Sequence, residues 1–414
     1  MKRLCLAVVV ITPLALVAIL CLRIAAGAVF GRSRDTSSLR RAIQADPMAA
    51  EYHRKLGALL SSSWNDARDR QAGLHEVEIA TNLGAQDPQN WLALARVSQL
   101  NGDTARMEVS MRRAIALAPN NPKYYWEAAN LFLSTDRPHL AVPMMRDFIA
   151  LNPSGTVPAV KACASAMPLE VIWSELIREY GNPRQISEFA ALAAQDGNSE
   201  LALRAWRHGT LNSNVPDVGS ARLLTETFLQ QKLFPQAYEV WSRAHRTEVR
   251  NLLFNGDFSD EFSNAGFDWR HSSQDEVTTS REIGIDSGRN ALRITFSANR
   301  NSDLEPIYQF VLAKPETEYL LRARVRSDAI TSESGPRLRV MDAEDDTAII
   351  AATAGLAGTA QWQESAISFT TGTNTRMLRI SVWRPKARNY PGEISGDFWL
   401  ANVKLSLSGK TKVQ

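Results

Sequence analysis

Cysteine is scarce in this 414-residue chain. Of the three present, Cys5 and Cys21 fall in an apolar leader and Cys163 stands alone beyond it. A single thiol forms no internal disulfide in the rest of the chain and cannot supply a cysteine metal site. Surplus charge is also missing: 47 Lys and Arg face 44 Asp and Glu, a formal net charge of +3. That excludes the clustered basic excess of a nucleic-acid-binding protein. The chain has no nucleophile elbow, no phosphate-cradling glycine loop, no His-Glu-x-x-His helix and no paired-cysteine cluster. Six histidines, His53, His75, His139, His208, His245 and His271, stand singly without ligand spacing and read as surface or helix-packing residues. The expectation is a protein that is not an enzyme, with no cofactor and no metal. Hydrophobic residues at 44% and charged residues at 22% are near globular averages, which excludes wholesale disorder and a polytopic membrane protein. The length exceeds the ~250 to 300 residues at which single cores stop growing, so several domains are expected.

One long apolar run is present, from Leu4 to Leu22. At 1.5 Å per residue it nearly crosses a hydrocarbon core of ~30 Å, and continuing through Ile24 to Phe30 completes the span with Arg23 snorkelling. This predicts an N-terminal transmembrane helix within residues 1–34. A cleaved signal peptide competes with it, because Ala26-Gly27-Ala28 fits the small-residue cleavage pattern. Counting positive flanks, Lys2 and Arg3 against Arg23, Arg32, Arg34, Arg40 and Arg41, favours the opposite orientation to an exported chain.

From Ser37 to Arg246 apolar residues recur at three- and four-residue spacing, between turns marked by Pro, Gly, Asn and Asp. Similar endings recur: Asp46-Pro47, Asp87-Pro88, Ala118-Pro119 and Asn152-Pro153. Pro88 and Pro122 repeat with a period of 34, as do Trp91 and Tyr125, each three residues after its proline. Trp91, Leu92, Leu94, Ala95, Gly102, Ala105, Ala114 and Pro122 together resemble the tetratricopeptide repeat. Two more degenerate helix pairs follow, with second helices ending Ala202 to Trp206 and Ala237 to Trp241. Between them and the better repeats, Pro153 to Pro183 reads as a helical linker, and an insertion near Ser61 to Arg70 reads as a polar loop. Such hairpins cannot bury their apolar stripes alone and stack into a superhelix, here residues 35–250, whose concave surface holds a protein partner. Tyr124, Tyr125 and Trp126 read as packing between helices.

Beyond Arg250 the pattern becomes short alternating segments separated by Gly, Asn, Asp and Ser, which predicts a β-sandwich over 251–408 and a short tail, 409–414. Asn251 to Phe258 with Gly266-Phe267-Asp268-Trp269, then Ser287 to Ile294, Gln309, Lys314 to Tyr319, Trp362, and the closing Asp397 to Leu405 resemble carbohydrate-binding modules with the galactose-binding-like jelly-roll fold. The chain departs from that family at Ala401-Asn402, where acidic residues are common, and at Glu316, where a turn glycine is usual. A structural calcium is therefore not expected, and the acidic run Asp342, Glu344, Asp345, Asp346 reads as a solvated loop. Trp269, Trp362 and Trp399 read as core residues. The fold class is thus multidomain, α then β: transmembrane helix, α-α superhelix, jelly-roll sandwich.

Alternation supplies candidate site residues, because successive strand side chains point to opposite faces. Tyr319, Leu321, Ala323 and Val325 oppose Arg322, Arg324 and Arg326; Leu338 and Val340 oppose Arg337 and Arg339; Leu292, Ile294 and Phe296 oppose Arg293; and Leu378, Ile380 and Val382 oppose Arg379 and Trp383. If these strands share one sheet, its outer face carries seven arginines and an indole, chemistry suited to an acidic glycan. The competing reading pairs these arginines with Asp and Glu on neighbouring strands. The function expected is a membrane-anchored, non-catalytic scaffold of the cell envelope, its anchor N-in and its soluble domains exported as the resemblance of the sandwich implies against the charge count, its repeats holding a protein and its sandwich a polysaccharide, in assembly or export of a cell-surface polymer. Alternatives are a purely protein-binding scaffold and a glycan-processing enzyme.

Overall fold

The computed structural model describes residues 17–408 apart from 34, 63–66, 212–216, 246–250, 346 and 391. The chain divides into two compact units, Met1–Gly181 and Asn182–Gln414. The division falls inside the helical region and not near residue 250, so the last four helices belong with the sandwich.

The first unit starts with a helix over residues 17–30 (α1). It continues through α2 (Thr36–Ala45), α3 (Ala50–Ser61), α4 (Ala67–Leu83), α5 (Pro88–Leu100), α6 (Thr104–Leu117), α7 (Pro122–Ser134), α8 (Pro138–Leu151), α9 (Thr156–Ala164) and α10 (Leu169–Ile172), with a 3-10 turn at Pro153–Gly155 and a π-helical turn at Trp173–Ile177. Asp87-Pro88 and Asn121-Pro122 are helix starts, whereas Asp46 and Asn152 close the helices before them. Asp87 accepts from Gln89 N and Asn121 from Lys123 N, and Pro88 and Pro122 occupy the first turn, where no backbone N–H is needed. The 34-residue aromatic repeat has a matching role: Trp91 Nε1 donates to Ala85 O at 2.8 Å, and Tyr125 Oη donates to Pro119 O at 3.0 Å. Each ring ties its helix to the turn before it. Fully buried Ala95, Ala114, Ala128 and Ala129 let the hairpins approach closely.

The transmembrane helix expected from the leader is overturned. Among the described residues no helix is long and apolar enough to cross a membrane, and the single-pass membrane location falls with it. Residues 1–16 lie outside the described set, and residues 17–30 cover about 20 Å, short of the ~30 Å a bilayer core requires. Side-chain contacts give the physical reason. Arg23 does not snorkel; it donates to the carbonyls of Gln44 and Ala45 at the end of α2. Gly27 is buried against Tyr52, and Lys55 Nζ donates to Gly31 O at 2.9 Å. The end of the leader is part of the helical array.

The second unit holds α11 (Pro183–Gln195), α12 (Ser199–Leu211), α13 (Val218–Gln230) and α14 (Phe234–Ala244), followed by ten strands. These are β1 (Arg270–His271), β2 (Val277–Asp286), β3 (Arg289–Ala298), β4 (Leu304–Leu312), β5 (Glu318–Ile330), β6 (Arg337–Asp342), β7 (Ile349–Ala352), β8 (Gly358–Thr370), β9 (Met377–Arg384) and β10 (Ile394–Leu407). They form two five-stranded antiparallel sheets, β1-β4-β9-β6-β7 and β2-β3-β10-β5-β8. The apolar phases seen in the sequence fill the space between them: Leu292, Ile294 and Phe296, Tyr319 to Val325 on alternate positions, Leu338 and Val340, and Leu378, Ile380 and Val382 are all buried. Trp269 joins this core.

Two helices of this unit are fastened to the sandwich. Glu226 of α13 accepts from Gly266 N and pairs with Arg270 at 2.7 Å. Trp241 of α14 lies against Gly266, whose φ of 55 and absent Cβ leave room for the indole. Phe254 meets Trp241 edge-on at 5.6 Å, and Phe267 meets Tyr238 edge-on at 5.3 Å.

Candidate functional site

A cleft of the first unit is built by the first helices of successive hairpins. Its volume is about 780 Å3. On α5 the residues Gln89, Leu92, Ala93, Arg96 and Leu100 recur at three- and four-residue steps and so share one face, and Arg54, Lys55, Ala58 and Leu59 do the same on α3. Lys123 of α7 closes one side, and Arg32 after α1 closes the other. The floor is apolar, and five cations line it: Arg32, Arg54, Lys55, Arg96 and Lys123. No carboxylate occurs among the described lining residues.

These cations are not equally committed. Lys55 pairs with Glu51 at 2.6 Å, and Arg96 pairs with Glu127 at 2.6 Å. Arg54 Nε is buried with no hydrogen-bond partner among the described residues. Lys123 lies 5.8 Å from the Tyr124 ring centre. Burial raises the Tyr124 phenol above its ordinary range, with the Asp87 charge adding to the shift and Arg54 opposing it. Sequence reading missed this cleft because its cations are isolated along the chain and form no charged run.

The sandwich arginines do not assemble as expected. Arg293, Arg322, Arg324 and Arg326 lie on β3 and β5 of one sheet, whereas Arg337, Arg339, Arg379 and Trp383 lie on β6 and β9 of the other. The sheets of a sandwich turn their outer faces to opposite sides, so the eight residues form two patches and not one. Alternation distinguishes the outward from the inward side chain but does not say which sheet a strand joins.

Most of these arginines are occupied within the fold. Arg293 grips Asp397 through Nε and Nη2, at 3.0 and 2.7 Å, and holds the Asp397 carboxyl below its ordinary range. Arg324 grips Asp286 at 3.1 Å through both nitrogens. Arg339 and Arg379 share Glu305. Arg337 donates to Gly335 O. Trp383 is half-buried, with Nε1 donating to Asp303 at 2.7 Å and with Arg339 and Arg337 at 4.7 and 5.9 Å from its ring centre. Arg322 is exposed.

Of the two other indoles read as core residues, Trp399 is buried, in a small cluster apart from the main one, and Trp362 is only partly so. Trp399 is buried on the outer face of its sheet, opposite Arg293 and Arg326 in register, with their guanidiniums 5.4 and 4.6 Å from its ring centre and Nε1 donating to Glu282. Trp362 packs against the Trp399 cluster, is half-buried, and has no partner for Nε1 among the described residues. Elsewhere, Asp342, Glu344 and Asp345 are taken up by Thr375, Arg376 and Thr347, and Asp346 lies outside the described residues. Burial pushes the Cys163 thiol up to about 11, which leaves it protonated and unreactive at neutral pH.

No protein-family model matches the chain, and no curated protein matches it. Its solved structural neighbours include carbohydrate-binding modules and tetratricopeptide-repeat proteins. The structure described as "CBM4 structure and function" has a TM-score of 0.29 and 14% identity, covering 37% of this chain and 99% of that one. TmCBM61 in complex with beta-1,4-galactotriose has a TM-score of 0.27 and 18% identity, covering 38% of this chain and 99% of that one. YrrB, described as a TPR protein with an unusual peptide-binding site, has a TM-score of 0.27 and 14% identity, covering 51% of this chain and 92% of that one.

Proposed function

We propose that the chain is a non-catalytic binding protein whose helical cleft holds an acidic, partly apolar segment of a protein partner. The observation that carries this reading is the cleft lining: five cations around an apolar floor, without a carboxylate among the described lining residues. A segment with alternating apolar and acidic side chains would bury the former on Leu92 and Leu59 and place the latter by Arg54 and Lys123. Arg54, which lines the cleft and has no ion pair among the described residues, is the strongest candidate for a carboxylate contact. Selecting a displayed random-peptide library on the full chain is expected to enrich Asp and Glu beside apolar residues. Enrichment of neutral or basic peptides would remove the reading.

A second reading assigns the sandwich to a saccharide, carried by Trp362: an indole half-open on an outer face, packed beside Trp399, over whose ring Arg326 lies. The open part of such a ring stacks on the apolar face of a sugar. Affinity electrophoresis in gels holding neutral β-glucans is expected to show retardation that Trp362→Ala removes; Trp383→Ala, whose ring already lies beneath two arginines, is expected to leave it unchanged. Equal mobility of all three proteins would end this reading.

A further inference from the structure

We propose that the cleft where α14 meets the sandwich is a separate binding site that takes the end of a neutral saccharide. Among its lining residues Lys404, opposite Arg322 in register, lies on the outer sheet face that also bears Trp362, but Trp362 itself does not line the cleft and the site does not depend on it. The cleft measures about 350 Å3, near the small end of ligand pockets, ~300 to 1,000 Å3, and so fits a chain end of one or two sugar rings better than a polymer lying along a face. One wall is aromatic. Tyr238 and Phe254 keep part of their rings exposed, while Trp241 and Phe267 are buried against them.

The opposite wall is polar because the backbone there is irregular. The β10 register against β5 shifts between Ala401 and Lys404, and Asn402 adopts a φ of 50. Bulges of this kind re-aim side chains and gather beside binding sites. The segment after Asn251 is strapped to this bulge: Val403 N donates to Gly256 O at 2.7 Å, and Asn251 Nδ2 donates to Val403 O at 3.1 Å. Gly256 must lack a side chain, since a Cβ there would strike the Val403 carbonyl. The strap brings Asp257 and Asp260 to the cleft rim opposite the rings, with Lys404 on β10.

The side chains of Asp260, Asn402 and Lys404 have no hydrogen bond or ion pair among the described residues. Two carboxylates, an amide and an ammonium offer both acceptors and donors to hydroxyls, while the rings receive the apolar face of a pyranose. The two carboxylates exclude an acidic sugar, in contrast to the anionic glycan expected from the arginines.

Titrating the full chain with cellobiose, lactose, maltose and glucuronic acid, by calorimetry and saturation-transfer NMR, tests the site. At least one neutral disaccharide is expected to bind and glucuronic acid is not. Asp260→Ala and Lys404→Ala are each expected to weaken binding about tenfold, the loss of one hydrogen bond to a charged group, with Trp362→Ala leaving it within about twofold. Both rim side chains are exposed and without a hydrogen bond or ion pair among the described residues, so both variants should melt as the parent does. Three results would overturn the proposal: no binding of any neutral disaccharide, binding unchanged by both rim substitutions, or calcium binding at Asp260 in place of sugar.

Discussion

Single residues show where local chemistry and tertiary demand disagree. Glu316 occupies a turn position with a φ of 48, in the left-handed region where a side chain crowds its own backbone. The resemblance read from the sequence leads one to expect glycine there, and the left-handed backbone makes Glu316 a position of local strain. Glu316→Gly is expected to stabilise the chain by about 1 kcal/mol, measured by urea unfolding, because relief of the left-handed conformation outweighs glycine's added backbone freedom. Gly266 is the converse case. A Cβ there would run into the Trp241 indole, and φ is already 55, so Gly266→Ala is expected to cost about 2 kcal/mol or more. An unchanged midpoint would mean that α14 does not bear on the sandwich. Neither effect follows from composition or periodicity; both depend on which residue the fold brings opposite.

At the scale of elements, much of the architecture was legible. The recurring Pro, Asn and Asp residues marked the turns between helices because capping and the missing proline N–H are local effects. Trp91 and Tyr125 announced a repeat because each serves one turn. The strand phases were also local, and the inward sets of β3, β5, β6 and β9 are as the alternation requires. What stayed hidden were pairings between distant segments: β6 and β9 against β3 and β5, Arg293 with Asp397, and Glu226 with Gly266 and Arg270. The last of these makes the joint of the second unit. Glu226→Ala leaves a largely buried arginine without its carboxylate and is expected to cost about 2 to 4 kcal/mol, read from the unfolding midpoint of the full chain.

His245 adds a pH dependence at the same joint. It stacks on Trp241 at 3.7 Å, its Nδ1 donates to Trp241 O, and burial lowers its pKa below the usual 6.5, with Asp268 opposing the shift. The unfolded state therefore takes up a proton more readily than the folded one. The stability tied to neutral His245 is present above about pH 6.5 and is lost as pH falls through the lower folded value. Buried Asp268 has the opposite sign: its pKa is raised above 3.8, so its protonated form is favoured in the fold and its contribution declines as pH rises through the raised value. Thermal melts between pH 7.5 and 5.5 are expected to show a falling midpoint that His245→Gln flattens; identical slopes would contradict this account of the joint.

At the scale of the whole molecule, the order α then β is as the sequence indicates, while the anchor is not. The leader's apolar run fits a bilayer by composition, yet Arg23, Gly27 and Gly31 are used to close the helical array. The glycan face expected from eight residues resolves into two patches, whereas the basic cleft of the first unit and the joint cleft of the second draw their chemistry from residues far apart in sequence. The account rests most heavily on the basic cleft. Fluorescence anisotropy of a library-selected acidic peptide against the full chain and its Arg54→Glu, Lys123→Glu variant measures it directly. The double reversal is expected to weaken binding by about 100-fold, since two attractions become repulsions, and to reduce the salt dependence. An affinity within about twofold of the parent would contradict the claim that these cations receive the partner.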